Sequence, residues 1–168
     1  EALRRRILRR ILPFEADYKT IEKAARIEKQ QTVNLPKGWF LKAFAQSIYL
    51  IPNPLEKPAL GTLFCLTANG NTGDGKHSQI LPESLYQKCN LRYWQPGDFI
   101  QPFGMQGTKS MQDYFTDRKI EEPLRGITPL LCLENEVIWV IGVGASEKAR
   151  YKENEKAVLL QYTDIPKA

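Results

Sequence analysis

The sequence predicts an α+β fold in two units: an N-terminal helical hairpin with a small β-meander over residues 1–56, then a mixed-sheet α+β domain over residues 57–168. Three observations predict it. Apolar residues near the N-terminus recur at helical spacing. From Thr32 onward the pattern changes to short alternating or apolar runs bounded by turn residues, as strands require. Between the two regions, Pro52-Asn53-Pro54-Leu55-Glu56-Lys57-Pro58 places three prolines in seven residues, a stiff connector that marks a domain boundary.

The elements follow in order. Residues 2–12 read as an amphipathic helix, with Leu3, Ile7, Leu8, Ile11 and Leu12 on one side and Arg4, Arg5, Arg6, Arg9 and Arg10 on the other, ending at Pro13. Asp17 is suited to cap a second helix running to about Gln31, with Tyr18, Ile21 and Ala25 inward, joined by Ala24 or Ile27. Strands are expected over 32–35, 39–44 and 48–51, around a Pro36-Lys37-Gly38 turn and a Gln46-Ser47 turn. In the second unit, a strand over 60–67 leads to a polar Gly-rich loop over 69–78. A short strand over 90–94 precedes a Pro96-Gly97-Asp98 turn. A helix is expected over 109–116, capped by Thr108, with Met111, Tyr114 and Phe115 inward. A hairpin joins 128–133 to 137–143 across Glu134-Asn135-Glu136, and 158–162 is a last strand. Several strands with one or two short helices make an α+β domain.

Composition narrows the function classes. No apolar run approaches the roughly 18 residues of a membrane span, so no membrane partner is expected. The chain starts at Glu1 within a helical pattern and reads as a piece of a longer polypeptide. Cys65, Cys89 and Cys132 fit no zinc or redox spacing and sit in or beside apolar segments, as buried free thiols of a cytoplasmic protein would. The formal charge is +5, and residues 1–31 hold nine Lys/Arg against five Asp/Glu, an excess of four. Such a patch favours anionic partners, nucleic acid first, although a solvated helix face has the same composition.

The chemistry-bearing motifs point away from catalysis. Gly70 to His77, GNTGDGKH, fits the GxxxxGK part of a phosphate-binding loop, but His77 stands where the Ser or Thr that binds magnesium is needed. The following residues include Pro82 and show no helical period, so a hairpin loop is expected there. His77 is the only histidine, and no cysteine or histidine cluster accompanies it as a metal site. Asp98 is expected to bond backbone within its turn, and Asp113 and Asp117 to pair with Arg118 or Lys119. No catalytic constellation emerges. Arg92, Lys109, Arg118, Lys119 and Arg125 instead flank a Gly-rich segment in which Trp94, Phe99, Phe103 and Tyr114 are interleaved. Cations among aromatics on turns suit contacts to RNA backbone and stacking on bases. The alternative is that the aromatics are core and the cations surface pairs, which is the expectation for Tyr114, Phe115 and Trp139.

These residues resemble the C-terminal region of bacterial tRNA(Ile)-lysidine synthetases. The matching positions are Arg92, Gly97-Asp98, Gly104, Gly107-Thr108-Lys109, Asp117-Arg118-Lys119-Ile120, Arg125, Pro129-Leu130 and Trp139-Val140-Ile141-Gly142, in that order. The N-terminal part resembles the family's helical segment and its V-x-LP-x-G turn, here Val33 to Gly38. Phe99, Ser110, Glu121-Glu122-Pro123 and Val143-Gly144 depart from the pattern, and this copy offers fewer cations. The resemblance implies that residues 1–56 are a middle, substrate-binding-like domain and 57–168 a C-terminal tRNA-binding domain. The parent would be a ligase that attaches lysine to the first anticodon cytidine of the CAU-anticodon isoleucine tRNA. ATP and magnesium would be held by an N-terminal ATP-pyrophosphatase domain, with no cofactor or metal in this chain. The partners implied are that tRNA and the protein's own catalytic domain. A different function class is a protein-interaction or homodimerisation module built on the Leu3/Ile7/Ile11 face.

Overall fold

The computed structural model describes residues 1–44, 47–54, 56–68, 73–152 and 155–164. The chain divides into two compact units, Glu1–Lys57 and Pro58–Ala168. Gln46 of the expected 46–47 turn and residues 69–72 of the expected Gly-rich loop lie outside the described residues.

The first unit opens with α1 (Ala2–Ile11) and α2 (Tyr18–Ala25). Asp17 caps α2 as its side chain accepts from the Thr20 amide at 2.8 Å, and hydrogen bonding from the Thr20 side chain and then its amide lowers the Asp17 pKa. The apolar face of α1 differs from expectation. Leu8 and Leu12 are buried, but Leu3, Ile7 and Ile11 remain 69, 47 and 52% exposed. The arginines explain this. Arg4 donates to the carbonyls of Ala25 and Ile27 at the end of α2, where carbonyls lack helical partners, and Arg5 pairs with Glu22 at 3.4 Å. Arginines thus face α2 and turn the Leu3 stripe outward. Tyr18 is also exposed, whereas Ile21, Ala24, Ala25 and Ile27 are buried. The second helix stops short of Gln31 because Ile27 turns into the core and Gln30, with φ 63°, redirects the chain. The strands β1 (Thr32–Asn34), β2 (Trp39–Ala43) and β3 (Ile48–Pro52) form an antiparallel meander. Its Val33, Leu41 and Ala43 join the helices in one core.

The second unit contains β4 (Thr62–Thr67), β5 (Ser78–Pro82), α3 (Glu83–Tyr86), β6 (Asn90–Tyr93), β7 (Phe99–Ile100), β8 (Lys109–Ser110), α4 (Met111–Asp117), α5 (Glu122–Arg125), β9 (Pro129–Leu133), β10 (Glu136–Val140), β11 (Gly144–Ala145) and β12 (Ala157–Thr163). These strands make two sheets rather than one. A mixed sheet has the order β6-β9-β10-β7-β8, with β11 on β10, and its β10–β7 pair is parallel. A smaller antiparallel sheet has the order β4-β12-β5. The mixed sheet is covered on both faces, so β9 and β10 read as nearly continuous apolar runs. Leu131, Ile138 and Trp139 pack toward Leu81, Leu160 and Tyr162 of the small sheet. Leu130, Cys132, Val137 and Val140 pack toward Met111, Tyr114 and Phe115 of α4. Ile138 and Trp139, adjacent in sequence, share a face because the register shifts between Val137 and Trp139. Such a bulge breaks the two-residue alternation.

Other differences have local causes. Residues 78–82 form β5 rather than loop, with Pro82 at the strand's last position, where proline is tolerated. The expected burial of the thiols holds only in part. Cys132 is buried, Cys89 half-buried and Cys65 exposed on β4, an edge strand. Burial pushes the Cys89 thiol to about 11 and Cys132 to about 12. The helix expected over 109–116 starts two residues later. Lys109 and Ser110 pair with β7, so Ser110, not Thr108, is the cap. Its Oγ accepts from the Asp113 amide at 3.1 Å and donates to the Asp113 carboxylate at 2.8 Å. Ser110→Ala is expected to lower stability by about 1 kcal/mol in urea unfolding, and Thr108→Ala to leave it unchanged.

Candidate nucleic-acid interface

The seven-residue α4 ends in a defined cap. The Ile120 amide bonds the Phe115 carbonyl at 2.8 Å and the Lys119 amide bonds that of Thr116 at 3.0 Å. This is the paired pattern of a Schellman turn, whose residue after the C-cap lies in the left-handed region and is usually glycine. Here that residue is Lys119, with φ 56°. A side chain in this conformation costs on the order of 1 kcal/mol. A cation there also sits at the negative end of the helix dipole. Among the described residues, no hydrogen bond or ion pair engages the Lys119 side chain.

Three further expected cations gather around the same helix. The Nζ of Lys109 reaches across α4 to Asp117 at 2.5 Å, so Asp117 pairs with Lys109 rather than with Arg118 or Lys119, and Asp113 serves the cap. The guanidinium of Arg118 lies over the Tyr114 ring, 5.2 Å from its centroid. Arg125, on α5, donates to the Ile120 carbonyl at 2.9 Å and the Thr116 hydroxyl at 3.2 Å, clamping the turn. Among the described residues its partners are a carbonyl and a hydroxyl, and no carboxylate takes part.

Arg92 stands apart from this group. It donates twice to Asp98, at 2.7 and 2.8 Å, and also to the carbonyls of Tyr93 and Glu134. The Asp98 side chain has no exposure, and its third hydrogen bond is from the Gln95 amide at 2.9 Å. Hydrogen bonding to Asp98 raises the Arg92 pKa further above its already high value. The geometry gives Arg92 internal partners on three segments.

The described residues of the GNTGDGKH motif do not fit a nucleotide. Asp74 Oδ1 accepts from the amides of Lys76, His77 and Ser78 at 2.8 to 2.9 Å. A carboxylate of the loop itself thereby takes the backbone donors that a phosphate needs, and those amides hold the Asp74 pKa well below the usual carboxylate range. No helix begins there, since Ser78 opens β5. Gly70 to Thr72 lie outside the described residues. Among the described residues, no three His, Cys, Asp or Glu side chains come together to hold a metal. Sequence reasoning passed over Arg150 and Tyr151 and weighed Lys76 only within the phosphate-loop motif. They line a groove with Phe103, and only the fold brings these four positions together.

Comparison with known proteins follows the same residues. Positions 89–162 match the family described as "TilS substrate C-terminal domain". The tRNA(Ile)-lysidine synthase of Clostridium tetani is 41% identical over 93 residues, 49% of this chain and 20% of that protein. The enzyme of the same name from Parabacteroides distasonis is 40% identical over 70 residues, 42% of this chain and 16% of that protein. The chain thus spans about a fifth or less of the length of these relatives. A solved structure described as "Crystal structure of TILS C-terminal domain" aligns over 84% of this chain and 95% of its own, with TM-score 0.45 and 19% identity. Residues 89–162 are thus similar to the C-terminal domain of tRNA(Ile)-lysidine synthases.

Arg92→Ala is expected to leave the Asp98 carboxylate buried without its partner and to cost about 3–5 kcal/mol in denaturant unfolding.

Proposed function

We propose that this chain is the tRNA-holding, non-catalytic part of a tRNA(Ile)-lysidine synthase. The parent enzyme would ligate lysine to the first anticodon cytidine of the CAU-anticodon isoleucine tRNA, with ATP and magnesium held by a separate catalytic domain. The chain's part is to grip the tRNA so that the catalytic domain meets the anticodon. Support comes from the family match over residues 89–162 and, above all, from Lys119. A lysine occupies the backbone conformation that glycine fills at lowest cost, on a capped turn, with its charge unpaired among the described residues. Strain retained at such a position is a pointer to function. Beside it, Lys109 and Arg118 add charge held in place by Asp117 and the Tyr114 ring. Phosphate contacts of this kind position a nucleic acid without reading its sequence.

A second reading, a homodimerisation module, is favoured by one observation, the exposed Leu3/Ile7/Ile11 stripe on α1. Mass that rises with concentration in light scattering, without RNA binding, would support it over the first.

The test is a salt titration of binding to the CAU-anticodon isoleucine tRNA, with initiator methionine tRNA as competitor. Salt-sensitive binding is expected. Lys109→Ala and Arg118→Ala should each weaken it and flatten the salt dependence by about one unit of slope. Lys119→Gly separates binding from folding. It should raise stability by up to about 1 kcal/mol by relieving the backbone, while weakening tRNA binding with the same loss of slope. Unchanged affinity in all three variants would remove the α4 turn from the interface.

A further inference from the structure

We infer that the chain carries a second RNA site, distinct from the α4 turn, which takes an unstacked base of single-stranded RNA in the groove of Phe103, Arg150, Tyr151 and Lys76. The inference rests on the RNA-binding reading and adds to it a substrate class, unpaired nucleotides. The groove has a volume of about 540 Å³, and its lining also includes Gly73 and Asp74.

The first observation is an exposed aromatic ring held rigidly. Phe103 is 53% exposed and belongs to no core cluster. Its loop is fixed from several sides. The Met105 amide bonds the Pro102 carbonyl at 3.0 Å, and the Gln101 side chain donates to the Met105 carbonyl at 2.8 Å. The Gly104 amide donates to the Glu147 carboxylate at 2.7 Å, and the Glu147 amide bonds the Gln101 carbonyl at 2.8 Å. Gly104 has φ 79°, so this turn favours a residue without a side chain. An apolar ring that is merely surplus needs no such bracing.

The second observation is the cation laid on that ring. The Arg150 guanidinium lies 4.5 Å from the Phe103 centroid. Its Nε donates at 2.5 Å to the same Glu147 carboxylate that holds Gly104. One carboxylate therefore fixes both layers of a stacking platform, the ring and the guanidinium over it. Bases stack on aromatic faces and on arginine planes with little regard to sequence.

The third observation is the sign of the charge. Asp74 is the acidic residue of the lining, and three backbone amides already engage its Oδ1. The side chain of Lys76 has no partner among the described residues. With Arg150 paired to Glu147, the groove presents one unpaired cation among the described residues, Lys76, beside two aromatic side chains, suited to a phosphate next to a stacked base. A duplex keeps its base faces covered, so only an unpaired nucleotide can use the platform.

The experiment uses the chain and a single-stranded RNA hexamer containing 2-aminopurine, whose fluorescence is quenched by stacking, with a duplex of the same sequence as competitor. The native chain is expected to quench the probe, and the duplex to compete at least tenfold more weakly. Phe103→Ala should weaken binding about tenfold with an unchanged salt slope, and Phe103→Tyr should restore it. Lys76→Ala should lower the slope by about one. Circular dichroism checks that each variant is folded. Equal binding by Phe103→Ala and native protein, equal competition by the duplex, or displacement of the probe by an acidic aromatic peptide as effectively as by RNA would overturn the inference. Loss of tRNA affinity in Lys119→Gly alongside unaltered hexamer binding by Phe103→Ala would overturn the groove alone and leave the proposed function standing. Absence of any RNA binding by the native chain would overturn both.

Discussion

The buried carboxylate of Asp98 organises the C-terminal domain. It sits in a turn that Gly97, at φ 95°, allows, and Arg92 of β6 meets it with two hydrogen bonds. The same guanidinium donates to the carbonyl of Glu134 in the β9–β10 turn. The Asp98 carbonyl accepts the Met111 amide at the start of α4, and the next amide, of Phe99, bonds Asn135. One ion pair and its adjoining peptide groups therefore fix the relative placement of β6, β7, the β9–β10 turn and α4. A desolvated carboxylate is tolerated only because each of its oxygens is engaged. The cations of the α4 turn depend on it indirectly, since the position of α4 is set at its first residue.

The hairpin of β9 and β10 supplies the other constraint. Both of its faces are covered, so its residues are apolar whichever way they point, and the bulge at Ile138 sends two successive side chains to one face. The sequence run Val137-Ile138-Trp139-Val140 announces a buried strand but conceals the bulge, because all four residue types suit either face. The small sheet beyond it is tied down by single bonds from loops. Trp139 donates to the Gly75 carbonyl, and the Gly142 amide bonds that of Lys76. These bonds place the Gly73–Lys76 loop beside the Phe103 turn and so build the groove.

Much of the fold was legible where local pattern and tertiary demand agree. The α+β class, the Asp17 cap, the meander, the hairpin and the inward set Met111, Tyr114 and Phe115 all follow from spacing and turn chemistry. The failures have physical causes of a different range. The α1 face was misread because its arginines find carbonyls and Glu22 on α2, partners invisible to a helical wheel. Thr108 and Ser110 are both good caps by type, and pairing of Lys109 and Ser110 with β7 decides between them. The strand at 78–82 carries no alternation, since its Gln79-Ile80-Leu81-Pro82 stretch is buried throughout. At the candidate interface, composition located the cations but not their partners. Among the described residues Lys119 stands free, Lys109 is paired, Arg125 clamps a turn, and Arg92 serves Asp98, four environments that residue type alone does not separate.

One device recurs at five points where the chain leaves regular structure. A short acidic or hydroxyl side chain takes up backbone amides, as Asp17, Asp74, Asp98, Ser110 and Glu147 each do. At Asp74 the device removes a function, since the carboxylate occupies the amide cradle that a phosphate would fill. At Ser110 and Glu147 it stiffens the segments that carry Lys109 and Phe103. Ordering a rotamer-rich loop on binding costs about 0.5–1.5 kcal/mol per side chain, and a segment already fixed by its own hydrogen bonds escapes much of that cost. Under the proposed function, a domain with few cations holds a polyanion because those cations are presented on rigid turns, as Lys119 is on its capped helix end.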